Sequence, residues 1–180
     1  MAALPEVLTA GSMQLRCWSP SFAEAMLIAI EESYPELKQW MPWAQEMPTV
    51  DGLREVLRHG ELDFHAGKGS EYTIFGAESD DVMGADGLHR TDEPGRFEIG
   101  YWVRSNQTRR GIATLAAQTL ISAASTYLGW IGQIAIHMDQ ANLASAAIPR
   151  KLGFALDGQE DREVAAAGHT GRGYVWILDL

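Results

Sequence analysis

The chain has 180 residues, 46% of them hydrophobic and 21% charged, the length and balance of one domain with a single core. Its 14 basic and 24 acidic side chains leave a net charge of −10, the wrong sign for sequence-independent nucleic-acid binding. No apolar run approaches the ~18 residues of a membrane span, and the single cysteine, Cys17, excludes an internal disulfide and a thiolate metal cluster.

The first six residues lack the basic start and long apolar centre of a signal peptide, so a cytoplasmic location is expected. Residues 14–18 alternate weakly and read as the first strand, which holds Cys17 as a buried apolar residue rather than a nucleophile. Pro20 and Ser21 open an apolar helical stretch over 22–30, expected to end before Pro35. A rigid link, Trp40-Met41-Pro42-Trp43, follows. Thr49 or Asp51 can cap the next helix, in which Leu53, Val56 and Leu57 recur at helical spacing.

Gly67-Lys68-Gly69-Ser70 marks a loop, and residues 72–77, 82–89 and 96–103 then read as three strands in meander, separated by acidic, Pro- and Gly-containing turns. An Ala- and Leu-rich helix runs from Gly111 to about Tyr127, and Gly129 ends it. Residues 133–138 form the next strand and 142–152 a short helix, which Pro149 should kink or shorten by removing an internal bond. Residues 154–163 and 173–178 close the sheet around Ala167-Gly168-His169. No repeat or linker divides the chain, so one α/β domain over residues 1–180 with a mixed sheet is expected.

Two segments carry chemistry. The strand-like run Phe97-Glu98-Ile99-Gly100-Tyr101-Trp102-Val103 leads into Thr108-Arg109-Arg110-Gly111-Ile112-Ala113-Thr114 and then the Ala-rich helix. Backbone N–H groups and the helix dipole make such a turn an anion site suited to a pyrophosphate. Arginine at a helix N-terminus opposes the dipole, so an anionic ligand should compensate it. In the second segment Asn142 and Ser145 stand three residues apart, on one helix face, and Asn142 can cap that helix. Together they read as a cofactor cradle. Other chemistries lack their patterns: His59, His65, His89, His137 and His169 have no metal-ligand spacing, Gly67-Lys68-Gly69 lacks the rest of a P-loop, and no Gly-x-Ser-x-Gly elbow exists.

The run 97–103, the turn Arg110-Gly111-Ile112-Ala113-Thr114, and Asn142-x-x-Ser145 with Lys151-Leu152-Gly153-Phe154 resemble the GNAT superfamily of acyl-CoA-dependent N-acetyltransferases, in its RimJ/RimL-like branch. The order of elements agrees over nearly the whole chain. The resemblance implies a single-domain GNAT-like fold, with a mixed, mostly antiparallel sheet of about six to seven strands flanked by about four helices. It implies acetyl-CoA as co-substrate and no metal. Arg109, Arg110, Gly111, Ile112, Ala113 and Thr114 would hold its phosphates, the backbone at Trp102 and Val103 with the Asn142 amide its pantetheine arm, and Ser145 its sulfur end. An N–H near Val103 would face the thioester oxygen.

Glu98 would be the general base for an amine nucleophile and Ser145 the general acid for the departing thiolate. Trp40, Trp43 and Glu98 would border the acceptor, a protein N-terminal α-amine or a small-molecule amine. A homodimer fits the branch; nucleic acid and membrane partners do not. The chain departs from the family pattern in three places: Thr108 stands where Gln or Arg is expected, Arg109 where Gly is frequent, and Pro149 where many members place a tyrosine. The grip on phosphate then leans on arginine, and the acid role shifts to Ser145. Thr108 could still cap the helix with its hydroxyl. From the residues alone, Glu98 is equally a surface carboxylate paired to Arg96 or Arg104, Trp102 a packing residue, and the Trp-rich link a core or dimer contact. A non-catalytic acyl-CoA sensor is the alternative function.

Overall fold

β3 (Gly69–Gly76), β4 (Val82–Arg90) and β5 (Arg96–Val103) form the antiparallel meander that the sequence predicts, and β2 (Met13–Cys17) pairs antiparallel with β3. The computed structural model describes residues 4–180; residues 1–3, part of the segment read for the absence of a leader, lie outside it. A further strand, β1 (Val7–Ala10), hairpins onto β2. Only Leu8 of its four residues is buried, too short an alternation to read from sequence. The remaining strands are β6 (Gln133–Asp139), β7 (Ala155–Asp161) and β8 (Arg172–Asp179). The sheet therefore has eight strands, one more than the upper expectation, in the order β1-β2-β3-β4-β5-β6-β8-β7.

Four helices flank it: α1 (Ala23–Trp40), α2 (Val50–His65), α3 (Ile112–Tyr127) and α4 (Leu143–Lys151). On one face, Ala116, Ala117 and Leu120 of α3 pack on Phe97, Ile99, Leu88 and Ile74. On the other, Ala29 of α1 meets Phe75 and Val82, while Met26, Ile30 and Leu37 pack with Leu53 and Leu57 of α2. Thr49 caps α2 through its Oγ1, which accepts from Gly52 N at 3.1 Å. Val56, expected on the buried stripe, is half exposed.

Helix α1 does not end before Pro35 but runs through it to Trp40. The missing N–H would have paired with the carbonyl of Glu31, an exposed residue whose carbonyl water can serve. Losing that bond costs about 3 kcal/mol, and burying Ile30 and Leu37 contributes about 1.5–3 kcal/mol each. Tertiary packing wins. No helix among the described residues is long and apolar enough to cross a membrane.

The central irregularity of the sheet lies between β5 and β6, its one parallel pair among the described residues. They pair only from Arg96–Gln133 to Glu98–Ala135, whereas β5 stays on β4 as far as Val103. Beyond Glu98 the two strands part, and the backbone edge of residues 99–103 faces a cleft. Strand β4 is pressed hard against β5 there. A Cβ on Gly84 (φ +153°) would sit 2.1 Å from the Trp102 carbonyl oxygen, so only glycine fits.

Candidate active site

The turn between β5 and α3 is built from two left-handed residues. Gly111 (φ 80°) serves as the N-cap of α3, and Arg109 adopts φ 62°, the only non-glycine residue in that region among those described. Arginine pays a steric penalty in αL that glycine would not. Thr108 does not cap α3: its Oγ1 donates to Ser105 O at 2.9 Å, closing the preceding 3-10 turn instead. Among the described residues the N–H groups from Arg109 to Thr114 have no backbone acceptor and no side chain caps them, and no acidic residue stands in the first turn. Exposed Arg109 and Arg110 flank these orphan donors, while Ile112 buries its side chain in the core and offers only its N–H. Such a cradle fits the phosphates of a nucleotide-bearing co-substrate.

A groove of about 620 Å³ lies where β5 and β6 diverge. It brings together Glu98, Tyr101, Asn142, Ser145 and Trp40, with His137, Asp139, Glu160 and His169. A shallower surface depression of about 520 Å³, along Gly11, Ser12 and residues 76–79, has no comparable convergence of reactive groups.

Glu98 projects from the face opposite Phe97 and Ile99, which are both buried in the α3 core. It has no ion-pair partner among the described residues, and its two expected competitors are engaged elsewhere. Arg96 bonds Gln133 Oε1 at 2.8 and 3.0 Å and pairs with Glu93; Arg104 pairs with Glu32 at 2.5 Å. The surface-ion-pair reading of Glu98 thus has no structural counterpart. Across β4–β5, Glu98 faces His89, whose Nδ1 lies 2.9 Å from Glu71 Oε1. The hydrogen bond to Glu71 raises the His89 pKa against the effect of burial, with the charges of Glu71 and Glu98 adding to it. A positive charge therefore persists on this face to higher pH.

Opposite Glu98 stands the start of α4. Asn142 Oδ1 accepts from Ser145 N at 3.1 Å and caps the helix. The Ser145 hydroxyl lies 3.1 Å from the Tyr101 hydroxyl, which itself sits on the α3 face of β5. Pro149 lies inside α4, which continues only to Lys151.

The side expected to border an acceptor is less regular. Trp40 lines the groove with Met41 and Pro42, but Trp43 turns away and lies against Trp102, ring centroids 6.3 Å apart. The Trp102 side chain packs under α1 and α2, so its side chain is a packing element while its backbone stays on the open edge. Residues 162–171, between β7 and β8, close the side of the groove. Gly168 N donates to Gln39 O at 2.8 Å. His169 Nδ1 accepts from Ala165 N, which places its proton on Nε2, 3.0 Å from Trp40 O. Buried Asp139 accepts from Ala141 N at 2.9 Å and from Thr170 N at 2.7 Å. His137 Nδ1 lies 2.9 Å from Glu160 Oε1. Sequence reasoning found none of Tyr101, His137, Glu160 or His169, because each enters through a long-range contact and not through a local motif.

Cys17 is no competitor for a nucleophilic role: burial first, then Glu6 and Glu61, push its thiol up to about 12. No cluster of metal-ligating side chains is found among the described residues.

Comparison with known proteins adds sequence and structural neighbours. An Acetyltransferase (GNAT) domain family matches residues 13–155. The putative ribosomal N-acetyltransferase YdaF of Bacillus subtilis (strain 168) is 29% identical over 150 residues, covering 81% of this chain and 79% of the relative. The uncharacterized N-acetyltransferase p20 of Bacillus licheniformis is 32% identical over 93 residues, about half of each chain (51% and 52%). Among solved structures, the ribosomal L7/L12 alpha-N-protein acetyltransferase RimL in complex with coenzyme A superposes with a TM-score of 0.88 at 21% identity, covering 97% of this chain and 98% of that one. The microcin C7 self-immunity acetyltransferase MccE, in complex with acetyl-CoA and AMP, reaches 0.85 at 19% identity over 94% and 93%. At these identities the solved structures speak to the fold.

Proposed function

The chain belongs to the GNAT acetyltransferase domain family and is an N-acetyltransferase; from that premise we propose that it carries an acetyl group from acetyl-CoA to the α-amine of a protein N-terminus, by direct attack in a ternary complex. The observation that carries this reading is the cleft opened by the early end of β5–β6 pairing, which Glu98 and Ser145 both line. Acetyl-CoA would supply the thioester and its thiolate leaving group. The chain's own residues do the rest. Orphan N–H groups from Arg109 to Thr114, with Arg109 and Arg110, bind the phosphates, and the open edge of residues 99–103 orients the extended arm. Glu98 takes the proton that the attacking amine must lose. The N–H at Val103 stabilises the oxyanion. The Ser145 hydroxyl gives its proton to the sulfur as the C–S bond breaks and regains one from water, while Glu98 returns its own to water. No acyl-enzyme forms.

Acidic lining favours a cationic acceptor: Glu98, Asp139, Glu160, Asp161 and Glu163 outnumber Arg162 and the two histidines. The names of YdaF and RimL support a protein N-terminus. A small-molecule amine is the second reading, supported by the wall of Trp40, Met41 and Pro42 and by MccE among the structural neighbours. A cytoplasmic homodimer belongs to the same proposal, supported by β7, an edge strand exposed along most of its length; sedimentation reports the mass. The decisive assay follows free thiol release with N-terminal peptides and small amines under saturating acetyl-CoA. Turnover with peptides carries the proposal, turnover with small amines alone moves the acceptor class, and binding of acetyl-CoA with no turnover on either panel leaves a sensor.

A further inference from the structure

Helix α4 contains a defect that another part of the fold fills. In an α-helix the carbonyl of Ser145 would accept from the N–H four residues on, but that residue is Pro149, which has none. Pro149 is buried, so the gap is poorly open to water. The Tyr101 hydroxyl lies 3.3 Å from this carbonyl oxygen and 3.1 Å from Ser145 Oγ, and no other side chain bonds that carbonyl among the described residues. One phenol therefore reaches both the backbone and the side chain of the same serine from β5, the strand that also forms one wall of the cleft.

We propose that Tyr101 is a positioning residue for Ser145: its hydroxyl donates to the carbonyl that Pro149 leaves free, and its oxygen accepts from the serine hydroxyl at rest. Two contacts fix the serine rotamer and the separation of α4 from β5, which is the width of the slot for the thioester. When negative charge develops on sulfur, the serine hydroxyl needs only to rotate about its C–O bond to donate there. Tyr101 keeps its proton throughout, in keeping with burial that drives its pKa up. This inference rests on the reading of Ser145 as the acid.

The test is a double-mutant cycle with kcat and the KM for acetyl-CoA measured separately, each variant checked by circular dichroism and thermal melting. Tyr101→Phe should lower kcat about tenfold or more, a fraction of a general acid's usual effect, with KM for acetyl-CoA nearly unchanged. Combined with Ser145→Ala, it should add little to the loss from Ser145→Ala alone. Pro149→Ala supplies the missing N–H, so Tyr101→Phe should cost less in that background; if the single Tyr101 variant folds poorly, the cycle with Ser145→Ala is run in the Pro149→Ala background, where the two losses should again fail to add. Additive losses, or no relief by Pro149→Ala, overturn the positioning role and leave Ser145 as acid. If Ser145→Ala itself keeps full kcat, the acid reading falls, and this inference with it.

Discussion

The two walls of the cleft are built by different means. The wall proposed to hold the donor, residues 99–114 with the start of α4, is made of backbone: an unpaired strand edge, a left-handed turn, and a helix N-terminus with free N–H groups. The wall proposed for the acceptor is made of side chains and long contacts, in which His169, Gly168 and Asp139 tie residues 162–171 to the end of α1 and to β6. Backbone recognition tolerates sequence drift at most positions and demands a few residues absolutely. Side-chain recognition can be rebuilt position by position. A protein that keeps one donor and varies its acceptor benefits from that division.

The division can be broken where the walls meet. Glu98→Gln removes the proposed proton acceptor and leaves the shape of the groove, so kcat should fall about 10²–10⁴-fold with acetyl-CoA affinity retained. Steady-state kinetics with isothermal titration separates the two quantities, and equal kcat at all pH values would take Glu98 out of the base role. His169→Ala releases the loop from Trp40 O. Loss of one such bond is worth about 1 kcal/mol, so the acceptor KM should rise about fivefold while the acetyl-CoA KM stays fixed. Replacing both Arg109 and Arg110 with Ala should do the reverse, weakening acetyl-CoA several-fold with the acceptor KM untouched. Because both arginines are exposed, that loss should shrink as salt is raised; unchanged affinity at low salt would show that the N–H groups alone hold the phosphates.

An effect on stability rather than on turnover lies behind the backbone-built wall. Asp86, on β4 between Tyr72 and Tyr101 in the strand register, is 1% exposed and its carboxyl oxygens have no partner among the described residues. Burial, then the charge of Glu71, raises its pKa well above 3.8. A carboxyl shifted in this direction binds its proton more tightly in the folded state. Its contribution is thus fully present below the unfolded pKa and is lost as pH rises through the folded one. Asp86→Asn removes that titration, so its unfolding free energy, followed by melting at each pH, should gain on the wild type as pH rises from 4 to 8, by at most about 1.4 kcal/mol per pH unit of the window. Parallel melting curves would show that Asp86 does not titrate as described.

The same division explains what could be read from sequence. Strand β5, the glycine turn and α3 announce themselves because alternation, a left-handed cap and an Ala-rich face are local requirements. Asn142 as a cap is legible for the same reason. Thr108 misleads because its hydroxyl has a nearer carbonyl, at Ser105. Pro35 misleads because α1 is held by Ile30 and Leu37 against partners distant in sequence. Trp43 pairs with Trp102 across 59 positions of chain that no local pattern connects. Tyr101 was read only as part of a strand, since its meaning depends on a proline in a different element.

An unpaired strand edge is ordinarily a hazard, since it offers a template on which another chain can stack and seed aggregates. Here the open edge from Ile99 to Val103 is turned inward, with β6 and α4 standing in front of it. At about 3.3 Å per residue it is only about 16 Å long. A flat sheet from a second molecule cannot reach in to dock on it, whereas a single slender chain can. The fold thereby keeps a reactive edge exposed to its ligand and hidden from its own copies, and it does so by geometry rather than by the charged or proline gatekeepers that guard an outer strand.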